Sequence, residues 1–218
     1  MAGRTEFIKK NFIMDGSFIV VDGPNGIGKT TVIDYICVAL NKSGKSFLRT
    51  KEPTTSELGI YIRNNQDKYS KEVLACLVAA NRYEHLETVV TPSMRAGKVV
   101  VCDRYYPSTL VYQLMDGLEL SFVEGLNKQI LVPHLTIFLK ASEEVIKARL
   151  RDRNQLTRFE RDQKKEIQFY QDAKSLLEGK GWNIKTLDAS TQDASVIAAS
   201  VVKEIEKILN NQQADFHS

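Results

Sequence analysis

Apolar and polar positions along the chain follow two alternating rhythms. Continuous β-prone runs lie at 17–22, 46–50, 98–103 and 134–140, with a weaker one at 183–187. Short unbroken apolar runs of this kind make strands buried on both faces. Between them are segments with a helical period, at 28–41, 56–65, 70–95, 121–130, 142–153, 159–179 and 193–209. Strands alternating with helices predict an α/β fold in which helices flank a parallel sheet. Ligands of such sheets collect at the carboxyl ends of the strands. Three polar clusters fall there: "TKEPTT" after the second run, "DRYYPST" after the third and "DASTQ" after the fifth.

The first run ends in "VVDGPNGIGKTT", and residues 23–30 fit G-x-x-x-x-G-K-[ST]. Glycines let a backbone fold tightly enough for successive N–H groups to face phosphate oxygens. The helix that follows offers its N-terminal donors and dipole to the same anion. Gly23, Pro24, Asn25, Gly26, Ile27, Gly28, Lys29, Thr30 and Thr31 are therefore expected to cradle a nucleotide's phosphates. Lys29 would reach the outer phosphates and Thr30 would bind Mg²⁺ through its hydroxyl. Asp103 ends a buried run, where a carboxylate can hold Mg²⁺ or cap a turn. Arg104 follows it with a fork of N–H groups suited to a phosphate.

Composition narrows the field without redirecting it. A length of 218 residues suits one domain with a sizeable core. A net charge of +3 accommodates phosphate ligands and gives no sign of a nucleic-acid groove. No apolar run is long enough to span a membrane. Cys37, Cys76 and Cys102 lack metal spacing and sit in apolar segments; they read as buried free thiols of a cytoplasmic protein. The start, "MAGRTEFIKKNFIMDG", carries no secretory pattern and reads as a short extension over 1–16; 17–209 reads as one domain, and 210–218 as a flexible tail.

Over nearly its whole length, from Ser17 to Ile208, the chain resembles the thymidylate kinase family of P-loop nucleoside monophosphate kinases. The resemblance is carried, in order, by the phosphate loop, "TKEPTTSELGIYIR", "AANRYEH", "DRYYPSTLVYQ" and "LDAS". It implies a three-layer P-loop fold with a short mobile lid over about 149–160. It also implies transfer of the γ-phosphoryl of ATP, with Mg²⁺, to a deoxynucleoside 5′-monophosphate, dTMP first. The alternatives are another acceptor such as dUMP or a modified deoxynucleotide, or, more distantly, a nucleotide-dependent switch.

Residue by residue, the resemblance puts Arg104 on the acceptor phosphate and Arg82 on the acceptor base; read by itself, Arg82 is a solvated surface arginine. Glu52 and Pro53 form the turn after the second strand. Arg63 sits where relatives place a phosphate-facing arginine, or is a plain surface residue. Tyr105, Thr109 and Tyr112 fall beside the nucleoside; Tyr112 either excludes a ribose 2′-OH or belongs to the core. Asp188 and Ala189 lie where relatives wrap the adenine, with Arg149 on the ATP side. Arg153 and Arg158, in "RDRNQLTRFE", match lid positions, and Gly26 matches relatives whose catalytic arginine is in the lid. Two positions depart from the pattern: Asn25 stands where Asp or Glu is usual, and Val78 where phenylalanine stacks on thymine. Relatives pair as dimers through helices, and the face of Val73, Leu77 and Ala80 reads either as that interface or as core.

Overall fold

The computed structural model describes residues 16–151 and 162–214. Five parallel strands, β1 (Ser17–Asp22), β2 (Phe47–Lys51), β3 (Val99–Asp103), β4 (Leu135–Lys140) and β5 (Ile184–Asp188), lie in the order β2-β3-β1-β4-β5. The register sets Val21 beside Asp103 on one side and Ile137 on the other. The phosphate loop thus leaves the sheet at its centre, where the strand order reverses. In doubly wound sheets this is the ligand crevice.

Alternation along each strand builds two cores. Ile19, Val21, Val99, Val101, Ile137 and Leu139 point to the face covered by α1 (Lys29–Lys42) and α9 (Ala194–Ala214). Phe18, Val20, Val100, Cys102 and Phe138 point to the opposite face. That face is covered by α3 (Lys71–His85), α5 (Tyr106–Met115) and α8 (Gln163–Gly179). Period-two side-chain geometry with apolar residues on both faces is what a three-layer fold requires. The remaining helices are α2 (Glu57–Asn65), α4 (Thr91–Arg95), α6 (Leu120–Leu126) and α7 (Glu143–Leu150).

All five expected strands form, each within a residue of the expected bounds. The helical period at 70–95 does not give one regular helix. Between α3 and α4 the turn over Leu86–Val90 is a π-helix, with the Thr91 N–H bonded to the Leu86 carbonyl. Pro92 stands just beyond and has no N–H for the ladder, so the register widens before it. Helix α5 was not among the expected helices. Its β-branched and aromatic residues hide a helical period, and Pro107 occupies the first turn, the position proline tolerates. At the C-terminus α9 continues to Ala214, so the tail expected from 210 is helical for five of its residues. The cysteine expectation also needs correction. Cys102 is buried, but Cys37 is half-buried and Cys76 exposed, because α3 turns the Cys76 side away from the sheet.

Candidate active site

The loop's shape comes from its glycines. Gly28 has φ +99° and closes the loop onto α1; a Cβ on Gly23, at φ +148°, would stand 2.7 Å from the Leu139 carbonyl oxygen. Neither conformation suits a side chain. Lys29 folds back over the loop and donates to the carbonyls of Gly23 and Pro24, both at 2.8 Å. Burial and then the neighbouring Arg104 push its pKa down to about 7, against the pull of Asp103, Asp22 and Glu166. Thr30 Oγ1 donates to Asp103 Oδ2 at 3.3 Å. Asp103 Oδ1 is enclosed and has no hydrogen-bond partner.

Asp22 organises the site from beneath. It is wholly buried. It accepts from the N–H of Gly23 (2.8 Å), from the N–H groups of Tyr105 and Ser108 (both 3.1 Å), and from the hydroxyls of Ser108 (2.6 Å) and Tyr170 (3.0 Å). Tyr105 is the N-cap of α5 and makes no side-chain cap. Asp22 caps that helix from the next strand instead, placing negative charge at its positive end. One carboxylate thus ties the phosphate loop, the segment after β3, α5 and α8 together.

Arg104 leaves β3 with φ +69°, a left-handed conformation at a residue other than glycine. Backbone strain of this kind collects at functional sites. Its guanidinium donates to Asn25 Oδ1 (2.6 Å), Ser108 Oγ (2.9 Å), Tyr112 Oη (2.9 Å) and Tyr170 Oη (3.1 Å). Asn25 Nδ2 and the Tyr112 hydroxyl in turn donate to Glu166 Oε1, at 3.2 and 2.8 Å.

Arg82 is not a solvated residue. It is 1% exposed. It pairs with Glu52 through Nε and Nη2 (2.8 and 2.7 Å), with Asn127 through Nη1 and with Thr109 through Nη2 (both 2.6 Å). One hydrogen on Nε, one on Nη1 and two on Nη2 are engaged, leaving one of the five. Its plane stacks over the rings of Tyr105 and Tyr106. Tyr105, expected beside the substrate, is buried and donates to the Leu131 carbonyl at 3.0 Å. The left-handed turn at Arg104 sends the next side chain inward, so Tyr105 supports Arg82 rather than facing a ligand. Arg63 takes neither expected role: its Nη1 clamps the carbonyls of Pro53 (2.6 Å) and Thr54 (2.7 Å), holding the turn after β2.

On the other side of the loop, Arg149 bridges the Ile27 carbonyl (2.7 Å) and the Ala189 carbonyl (2.9 Å). It joins the phosphate loop to the Asp188–Ala189 segment, where Asp188 accepts from the Ser190 N–H at 2.8 Å. Val78 is half-buried on α3, one turn before Arg82. Arg153 and Arg158 lie outside the described residues. A cavity of about 480 Å³ opens beside Asp103, with Thr50, Lys51, Thr54, Glu84 and His85 in its wall. Arg82, Arg104 and Tyr112 do not line it; Arg82 is bonded to Glu52, Asn127 and Thr109, and Arg104 to Tyr112.

Asp22, Ser108, Glu166 and Tyr170 were not expected at the site. Asp22 carried a signal, a charged residue ending a buried run. Glu166 and Tyr170 carried only their i, i+4 spacing, which puts them on one face of α8.

A glycine loop between the central strand and a helix, with a lysine over it and a strand-end aspartate beside its threonine, defines a P-loop phosphotransferase. The family model for thymidylate kinase matches residues 21–200. A probable thymidylate kinase of Pyrococcus horikoshii is 38% identical over 156 residues, covering 68% of this chain and 76% of that protein. A thymidylate kinase of a Synechococcus species is 39% identical over 152 residues, covering 66% and 74%. One from an Exiguobacterium species is 33% identical over 187 residues, covering 81% and 88%. The chain belongs to the thymidylate kinase family.

Proposed function

We propose that this protein transfers the γ-phosphoryl group of ATP to dTMP, giving dTDP and ADP. The observation that carries the reading is the Arg104 guanidinium, held by Asn25 of the phosphate loop and by Tyr112 of α5. A cation fixed beside the nucleotide loop has a task in a kinase, where an acceptor phosphate must be aligned with the donor.

The acceptor phosphate is already a nucleophile, so alignment and charge neutralisation suffice. Lys29, charged once phosphate oxygens replace the Gly23 and Pro24 carbonyls as its partners, neutralises the transferring group. Arg104 grips the acceptor phosphate. The Glu52–Arg82 pair and Thr109 form the polar floor under the nucleoside, with the last Nη1 hydrogen of Arg82 for a base carbonyl. Arg149 and the Asp188–Ala189 segment take the adenine side. Arg153 and Arg158, outside the described residues, keep the catalytic role that the family resemblance implies for them.

The oxygens of Thr30 and Asp103 fit Mg²⁺. They are hard donors, and the enclosed, unpartnered Asp103 Oδ1 suits a direct or water-mediated contact. Bound there, Mg²⁺ would supply charge neutralisation at the β- and γ-phosphate oxygens.

Val73 and Ala80 are exposed and Leu77 half-buried on α3, which supports the reading of this face as a homodimer interface. Three unpaired cysteines agree with a reducing cytoplasm. Among the described residues no helix is long and apolar enough to cross a membrane.

The test is product analysis. Purified protein with ATP, Mg²⁺ and dTMP should yield dTDP and ADP in equal amounts. ADP formed at the same rate with or without dTMP would overturn the reading in favour of a hydrolase.

A further inference from the structure

Asn25 is the pivot of the acceptor side, and its amide is set by what lies on each side of it. The oxygen Oδ1 accepts from Arg104 Nη2 at 2.6 Å. The nitrogen Nδ2 donates to Glu166 Oε1 at 3.2 Å and to Tyr112 Oη at 3.1 Å. The backbone N–H of Asn25 also donates to Glu166 Oε1, at 3.0 Å. One carboxylate oxygen on α8 therefore takes three donors, two from Asn25 and one from Tyr112. Both of those residues hold the Arg104 fork.

Glu166 is wholly buried, and its second oxygen, Oε2, has no hydrogen-bond partner among the described residues. A charged residue is seldom enclosed unless its charge has work to do. Four residues along α8, Tyr170 reaches the same Arg104 fork and Asp22. Burial raises the Glu166 pKa, while the Asn25 N–H, the Tyr112 hydroxyl, Arg104 and Lys29 favour the ionised form.

We propose that Glu166 is the positioning residue of the acceptor site: its carboxylate, acting through Asn25 and Tyr112, sets the Arg104 guanidinium, and positions 25 and 166 together hold one carboxylate. This rests on the reading of Arg104 as the acceptor-phosphate residue. The proposal accounts for an amide at position 25. An aspartate there would set an oxygen against Glu166 Oε1, two acceptors and two charges in contact. An amide offers a donor to Glu166 and an acceptor to Arg104. The pair should therefore tolerate exchange. With aspartate at 25 and glutamine at 166, the net charge is kept and the amide nitrogen of residue 166 can donate to the carboxylate that faces Arg104, while the residue-25 N–H loses the Glu166 Oε1 acceptor, so rescue is partial.

The experiment compares Glu166→Gln, Asn25→Asp and the double exchange with the parent in dTMP and ATP kinetics and in thermal melting. Glu166→Gln should raise the dTMP KM roughly tenfold, about 1.4 kcal/mol, with the ATP KM within about twofold. Asn25→Asp should be impaired too, and the double exchange should regain part of the loss. An unchanged dTMP KM in Glu166→Gln, or losses that add in the double exchange, would overturn the proposal. Should the parent not phosphorylate dTMP at all, the kinase reading fails by itself. The melting temperatures then decide between rescue and addition without substrate. If Glu166→Gln does not fold, a folded double exchange supports the pair, and a double exchange that also fails to fold overturns it.

Discussion

Arg104 Nη2 and Asn25 Oδ1 lie 2.6 Å apart, joining the strand-end arginine to the third residue of the phosphate loop. The phosphate loop and the segment after β3 therefore share one hydrogen-bond network. Replacing Arg104 with lysine keeps the charge and removes the fork that reaches Asn25, Ser108, Tyr112 and Tyr170. Arg104→Lys should lower kcat/KM for dTMP by roughly a hundredfold, the scale of one preorganised electrostatic contact. The ATP KM should change little. Initial rates with each substrate varied in turn check both statements.

Asp22 should matter for folding as much as for the site. Its five donors include three backbone N–H groups. An asparagine turns one accepting oxygen into a donor, so at least one buried N–H loses its partner. That costs about 1–3 kcal/mol. Asp22→Asn should lower stability by that amount in urea unfolding, with the slope unchanged.

The Glu52–Arg82 pair is enclosed, with side chains 6% and 1% exposed. Removing Arg82 leaves the Glu52 carboxylate buried with the His85 imidazole as its remaining side-chain partner among the described residues, a loss of up to about 3–5 kcal/mol. Arg82→Ala should therefore unfold at lower temperature even without nucleotide. A surface arginine would leave the melting temperature nearly unchanged.

Lys29 gives the pH dependence. In the free protein its pKa lies at about 7. Phosphate anions favour the charged form and raise it. Between about pH 7 and the raised pKa, the complex holds more protons than the free protein. ATP binding should take up a proton in that window, and affinity should fall as pH rises through it. Calorimetry at pH 8 in two buffers of different ionisation enthalpy measures the uptake. Lys29→Ala should abolish it.

Much of this was legible in the sequence, for physical reasons. Strands buried on both faces must be unbroken apolar runs, so Ser17–Asp22 and Leu135–Lys140 announce themselves. A phosphate loop needs glycine, lysine and a hydroxyl at fixed spacing, so residues 23–30 do too. Helix α5 did not, because its start is stabilised from outside, by Asp22 on another strand. The burial of Arg82 was hidden likewise: the ion pair that makes it tolerable joins residues thirty apart. Glu166 reads as one acid in a charge-rich helix until folding brings it 141 positions back to Asn25. Local pattern reveals elements and loops; long-range polar networks require the fold.

Phosphoryl transfer to dTMP is measured by kcat/KM with ATP across dTMP, dUMP, dCMP, dGMP and UMP, for the parent and for Val78→Phe. Valine one turn before Arg82 leaves an apolar wall without the stacking that an aromatic ring adds, roughly 0.5–1.5 kcal/mol. The parent should phosphorylate dTMP best and accept dUMP as well, and Val78→Phe should lower the dTMP KM. Strict dTMP selectivity in the parent would contradict the open pocket, and no turnover of any pyrimidine nucleotide would contradict the assignment as a thymidylate-phosphorylating enzyme.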